Sequence, residues 1–201
     1  MNGKLHVKLF MVQGGEPLLH PKVTELLKLI YESGMAHQYG VLTNGKLLPR
    51  MKDDFWECLG ERKMELRMSC YPDLSPDIVP FAEDKSTKYG FSIRPQKIDY
   101  FQTVFLKNDG YTYHGCGWNR CLTIHEGYFY LCPLTTFFPK QFMGLPETID
   151  GIPIDGLTED QLQVFLNRRE PLEACKICAG TGHGKQVPWH QNKSHEEWKK
   201  E

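Results

Sequence analysis

Sulfur-bearing side chains crowd the second half of this sequence. Of seven cysteines, Cys58 and Cys70 stand apart, while Cys116, Cys121, Cys132, Cys175 and Cys178 fall within 63 residues of one another. An odd count with a Cys-x2-Cys pair points to metal binding rather than to a disulfide framework. Thiolates are soft ligands that suit iron–sulfur clusters and zinc. Cys116 and Cys121 with Cys175 and Cys178 would make a four-thiolate tetrahedral zinc site. Cys58 and Cys70 lie in helix and strand patterns, where a thiol serves packing. A second group is Gly14-Gly15-Glu16-Pro17, just past an apolar run. Two glycines let a ligand approach the backbone, and a carboxylate beside them accepts strong hydrogen bonds from an ammonium group.

Other groups carry less. Residues 180–185, Gly-Thr-Gly-His-Gly-Lys, lack the glycine spacing and the Ser or Thr after lysine that a phosphate loop needs. Their place after Cys178 fits a loop wrapping a metal site. The histidines show no i, i+4 pairing of the zinc-protease kind. Trp118, Phe129 and Tyr130 are expected to shield the metal site rather than to bind bases.

The elements that must position these groups alternate. Apolar runs at 5–12, 39–43, 64–70 and 90–93 read as strands, with a weaker one at 101–105. Met64, Leu66 and Met68 share one face of the third, and Glu65, Arg67 and Ser69 the other. Helical spacing recurs at Val23, Leu26, Leu27 and Ile30, then at Leu48, Met51, Phe55 and Leu59, and again over 76–88. Asn44-Gly45 closes the second strand as a turn pair. Strand–helix–strand repeats imply parallel strands with right-handed crossovers, in a partial barrel or an open doubly wound sheet. Either architecture gathers ligands at the C-terminal strand ends. Beyond residue 110 the alternation stops. Runs at 121–124 and 128–132 predict a hairpin around His125-Glu126-Gly127. A loop rich in Phe and Pro (Phe137, Phe138, Pro139) and a helix over 158–167 follow. The expected domains are therefore 1–110 and 111–192, with a charged tail at 193–201.

Composition narrows the partners. A net charge of −1 and a pI near 6.7 supply no electrostatic reason for nucleic acid or an anionic membrane surface. The apolar runs are too short to span a bilayer, and Lys4, His6 and Lys8 interrupt what a secretory leader would need to be apolar. A cytoplasmic protein is expected.

Gly14-Gly15-Glu16-Pro17, the following helix and Thr43-Asn44-Gly45 after the next strand closely resemble the radical S-adenosylmethionine (SAM) family. The resemblance implies an α/β fold: a partial (β/α) barrel of parallel strands lacking its first βα unit, followed by a small irregular cysteine-rich module with a β-hairpin. In that family the Gly-Gly-Glu-Pro turn holds the SAM amino group. Gly14, Gly15 and Glu16 would then bind SAM, with Pro17 shaping the turn and Thr43, Asn44 and Ser69 nearby. Cys116, Gly127, Cys132 and Cys175-x-x-Cys178 are similar to the family's twitch or shortened SPASM module, whose four thiolates hold an auxiliary 4Fe–4S cluster. Five cysteines compete for four places: Cys132, Cys175 and Cys178 with either Cys116 or Cys121. The family's Cys-x3-Cys-x2-Cys loop is absent from these 201 residues. The expectation is an incomplete copy, missing an N-terminal segment and unable to cleave SAM alone. The alternative is a non-catalytic metal-binding protein with structural zinc or a cluster for electron transfer or partner binding. The implied substrate is a peptide, sugar or small metabolite.

Overall fold

The computed structural model describes residues 6–102, 116, 121–180 and 186–189. Its first elements alternate: β1 (Val7–Val12), α1 (Val23–Glu32), β2 (Ala36–Thr43), α2 (Asp53–Glu61), β3 (Glu65–Cys70), α3 (Ile78–Tyr89) and β4 (Ser92–Lys97). The four strands form one parallel sheet in sequential order, β1-β2-β3-β4. This α/β sheet contains no reversal of strand order, which a doubly wound sheet requires. Right-handed crossovers in sequential order place the three helices on one face.

Side-chain alternation agrees with that layering. Tyr39, Val41, Leu66 and Met68 face the helices and join Leu27, Phe55, Trp56 and Leu59 in one core. Phe55, Trp56 and Leu59 are fully buried, each contributing about 1.5–3 kcal/mol. The Trp56 ring stacks on Phe91 and meets Phe81 edge-on. Glu65, Arg67 and Ser69 alternate with the buried positions of β3. Arg67 pairs with Glu65 and stands in register with Arg94.

Two strands depart most from the sequence expectation. The second strand starts earlier, at Ala36, and the fourth runs on to Lys97 through Pro95. Proline is tolerated there because β4 is an edge strand, where the missing N–H breaks no ladder. The weak fifth run does not extend the parallel sheet in its described part. Instead β5 (Tyr100–Gln102) pairs antiparallel with β9 (Gln186–Pro188); residues 103–105 lie outside the described residues.

Contacts divide the chain into two units, Met1–Asp99 and Tyr100–Glu201. In the second, the expected hairpin forms between β6 (Thr123–His125) and β7 (Tyr128–Tyr130). Glu126 and Gly127 both take positive φ, 45° and 78°, at its tip, as a two-residue hairpin turn of matching twist requires. A third strand, β8 (Gly151–Pro153), extends this sheet. The Phe/Pro segment, expected as a loop, contains α4 (Phe138–Met143), opened by Pro139 in its first turn and closed by left-handed Gly144. α5 (Glu159–Leu166) starts at a complete capping box, Thr158 with Gln161.

Candidate functional site

At the exits of β1 and β2 the chain builds a polar knot around Glu16. Parallel pairing sets these exits side by side, with Val12 opposite Val41. Glu16 Oε1 accepts from Thr43 Oγ1 at 2.7 Å and from the Leu18 N–H at 3.1 Å. Oε2 accepts from the Asn44 N–H at 2.8 Å. Thr43, 2% exposed, in turn accepts from the Gly45 N–H. The Asn44 side-chain oxygen accepts from the Lys46 N–H at 2.9 Å. A carboxylate offers about four lone-pair directions. Three are filled here, and no described residue donates to the fourth, on Oε2.

The surrounding residues divide by what the fold demands of them. Gly45 is required by the fold: its φ is +81°, and a Cβ would stand 3.0 Å from the Met68 methyl. Pro17 opens the short 3-10 turn Pro17–Leu19 that Glu16 caps. Gly14 and Gly15 are exposed, their φ lies outside the left-handed region, and a Cβ on either would meet nothing within 4 Å. Nothing in the described chain calls for glycine at those two positions. Ser69 sits at the C-terminal end of β3 opposite Gln96, on the face away from the helices.

In the second unit, four thiols fall within electrostatic reach of one another. β7 leads through Leu131 into Cys132, whose carbonyl accepts from both the N–H and the hydroxyl of buried Thr135. Cys175 lies in the 3-10 helix Glu173–Ile177, and Cys178 ends it. Burial pushes the Cys132 thiol up to about 12, and the charges of Cys178, Cys116 and Cys175 add to the rise. Burial likewise raises Cys175 to about 11, with Cys178, Asp150 and Cys116 contributing. Cys178 is raised by burial, then by Cys116. A backbone group opposes each rise: Leu134 at Cys132, Leu172 at Cys175, and the Gly180 N–H, 3.3 Å from Cys178 Sγ. Cys121 is exposed, and among the described residues desolvation is what raises it. Cys58 is buried in the first unit's core, and Cys70 ends β3 packed against that core. No disulfide joins any of the seven.

Phe138, Ala174 and Cys178 form a small buried cluster, flanked by Leu134, Phe137, Phe142 and Ile177. The expected shielding aromatics are placed only in part. Phe129 and Tyr130 are buried, whereas Trp118 lies outside the described residues, as does most of the loop at 180–185.

Asp150 escaped the sequence reading. It is 2% exposed and accepts from the Glu173 N–H at 2.7 Å and the Ala174 N–H at 2.9 Å. The signal was a negative one: Leu172, which precedes the cysteine turn, has no side chain able to cap it. Another cluster, His125, Glu126 and Glu147, brings its ligand atoms within 4.8 Å of one another and is the only such group among the described residues. Lys140 donates to Glu147 at 2.7 Å, so an ammonium already supplies that cluster's positive charge. No protein-family model matches the chain, and no curated protein does either. No described helix is long and apolar enough to cross a membrane.

Proposed function

We propose that this chain is part of a radical SAM iron–sulfur protein, with a SAM-binding half-site at the β1–β2 exits and an auxiliary 4Fe–4S cluster on Cys116, Cys132, Cys175 and Cys178. The carrying observation is that the thiols of Cys116, Cys132, Cys175 and Cys178 fall within electrostatic reach of one another, which is the ligand count of a thiolate metal centre. The likeness of their order in sequence to the family's auxiliary module favours a four-iron cube over zinc, and the backbone groups that act on the sulfurs are the kind that tune cluster potentials. Cys116, rather than Cys121, is the fourth ligand in this reading.

Support for the SAM half-site is the Glu16 lone pair to which no described residue donates, beside two glycines that the fold itself does not need. Pro17, Thr43 and Asn44 orient the carboxylate, and Ser69 lies on the neighbouring strand end. The sequential parallel sheet is what a partial (β/α) barrel would contribute. SAM bound to a reduced cluster supplies 5′-deoxyadenosyl radical chemistry. This chain's residues would hold the methionine end and, at the second cluster, pass electrons or anchor a substrate, whether peptide, sugar or small metabolite.

Reconstitution with iron and sulfide without oxygen tests the reading. A brown protein with broad absorbance near ~400 nm and one cluster per chain is expected. Cys132→Ala and Cys175→Ala should abolish it, and Cys58→Ala should not. A colourless protein holding one tight zinc overturns it.

A further inference from the structure

We propose that Asp150 is the positioning residue of the four-thiol site: its carboxylate clasps the cysteine turn to the sheet that delivers Cys132, setting the sulfurs before any metal arrives. The inference rests on the four-thiol reading above and adds the element that builds the site.

The three best-defined thiols come from two segments 43 residues apart in sequence. Cys132 follows β7, and β7 pairs with β8 through Tyr130 opposite Gly151. Asp150 is the residue immediately before β8. Its carboxylate leaves the sheet to take the first two N–H groups of the turn that carries Cys175. That turn has five residues and no side-chain cap of its own, so its leading N–H groups would otherwise be orphaned where Ala174 is buried. Each carboxylate oxygen serves one N–H, a two-point attachment that fixes orientation as well as distance. Gly151 adds a constraint from the other side. A Cβ there would stand 2.6 Å from the Tyr130 ring, so the strand carrying Asp150 lies directly against the strand leading to Cys132. A surface capping residue would be exposed and local in sequence. Asp150 is buried and acts from 23 and 24 residues away.

The Asp150 carboxylate also accepts from the N–H of Ala174, the residue just before Cys175. A bound cluster would therefore sense the negative charge of the ionised carboxylate close to one of its ligands. This separates the proposal from a purely structural role, because charge and hydrogen-bond geometry can be altered independently.

The test uses the whole chain reconstituted with iron and sulfide. Asp150→Ala removes both bonds and the charge, and Asp150→Asn keeps one acceptor and removes the charge. Glu173→Pro removes one donor and keeps the Asp150 charge, but also deletes the Glu173 carboxylate that pairs with Lys176, so Glu173→Gln, which keeps the N–H, is its reference. Proline suits the first position of the turn, after the extended Leu172. Iron loss to a chelator should quicken about 10- to 100-fold in Asp150→Ala, the usual effect of removing a group that orients a metal ligand. Asp150→Asn and Glu173→Pro should fall between it and wild type. The cluster's reduction potential should rise in Asp150→Asn and be the same in Glu173→Pro as in Glu173→Gln. Unchanged chelation rates in the two Asp150 variants and Glu173→Pro, or equal potentials in Asp150→Asn and wild type, overturn the proposal. If wild-type protein takes up no iron, the iron–sulfur reading fails by itself. The clasp is then decided in the metal-free chain, by whether Asp150→Ala abolishes hydrogen-exchange protection of the Glu173 and Ala174 amides. Protection that persists in that variant refutes the clasp.

Discussion

Replacing Glu16 by alanine removes three hydrogen bonds from one point, and its cost can be worked from their surroundings. The Thr43 hydroxyl is 2% exposed and cannot recruit water easily, so losing its charged acceptor costs about 1–3 kcal/mol. The Asn44 N–H is half-buried, and water recovers part of its bond, leaving about 0.5–1.5 kcal/mol. Loss of the cap on the Pro17–Leu19 turn adds up to about 1 kcal/mol. Together these give a destabilisation of about 1.5–5.5 kcal/mol in the unit formed by Met1–Asp99, measurable by denaturant unfolding of the intact chain. Glu16→Gln should cost less, because its amide oxygen still accepts from Leu18 and Thr43. Its NH2 group, however, faces the Asn44 N–H. A double-mutant cycle with Thr43→Val should return a coupling of at least about 1 kcal/mol, as expected for directly bonded partners. If Glu16→Ala stays within about 0.5 kcal/mol of wild type, or the cycle shows no coupling, the knot does not hold the two strand exits together. The remaining Oε2 lone pair would then lose its fixed geometry as well.

Other expectations are narrower. Cys116→Ala should lose the reconstituted cluster while Cys121→Ala keeps it; the reverse would exchange their roles. Burial raises Cys132 and Cys175 to about 12 and 11 in the metal-free fold, so the stability these protonated thiols contribute is complete below pH ~8.5, the ordinary thiol value. It is lost as pH rises through those folded values, and the gap in melting temperature between metal-free wild type and Cys132→Ala should shift against wild type over that window. A gap that does not move with pH contradicts the burial assigned to Cys132. Metal binding must expel the same protons, so cluster affinity should rise with pH from 7 to 9. The chain alone, reduced with dithionite, should release no 5′-deoxyadenosine from SAM, because none of its cysteines has the Cys-x3-Cys-x2-Cys spacing. Release of that product would place the catalytic cluster on other ligands.

What the sequence disclosed and what it withheld follow the range of the interactions involved. Strands β1 to β3 and their helices were legible because alternation and helical spacing are local, as in Met64, Leu66 and Met68 against Glu65, Arg67 and Ser69. The hairpin tip was legible because Gly127 marks a positive φ that few residues accept. Strands β8 and β9 were not legible. Three residues carry no periodicity, and each exists only because a distant partner offers a ladder. α4 was hidden because its Phe and Pro content reads as a loop, although a proline in a first turn and Gly144 at the end are helix punctuation. For the site, residue types gave Glu16 and the thiols but not their partners. Nothing local ties Glu16 to Thr43 and Asn44, 27 and 28 residues on; only parallel pairing of the two strands brings them together. For the choice between Cys116 and Cys121 the fold adds one distinction that residue spacing does not carry: the charge of Cys116, and not that of Cys121, figures among those raising Cys132.

The two units are built from very different materials. The first rests on a four-stranded sheet with strands of six to eight residues and a large common core. In the second, every described strand has three residues and the longest described helix has eight. If the thiols hold a metal as proposed, that metal is a folding partner of the unit, since a ligand taken up only by the native form adds its binding free energy to stability. Chelation should split one melting transition into two, with the Tyr100–Glu201 half giving way first. A protease would then find its cuts there while Met1–Asp99 survives. The lifetime of the intact chain would track the supply of metal rather than temperature, so that scarcity is registered as turnover.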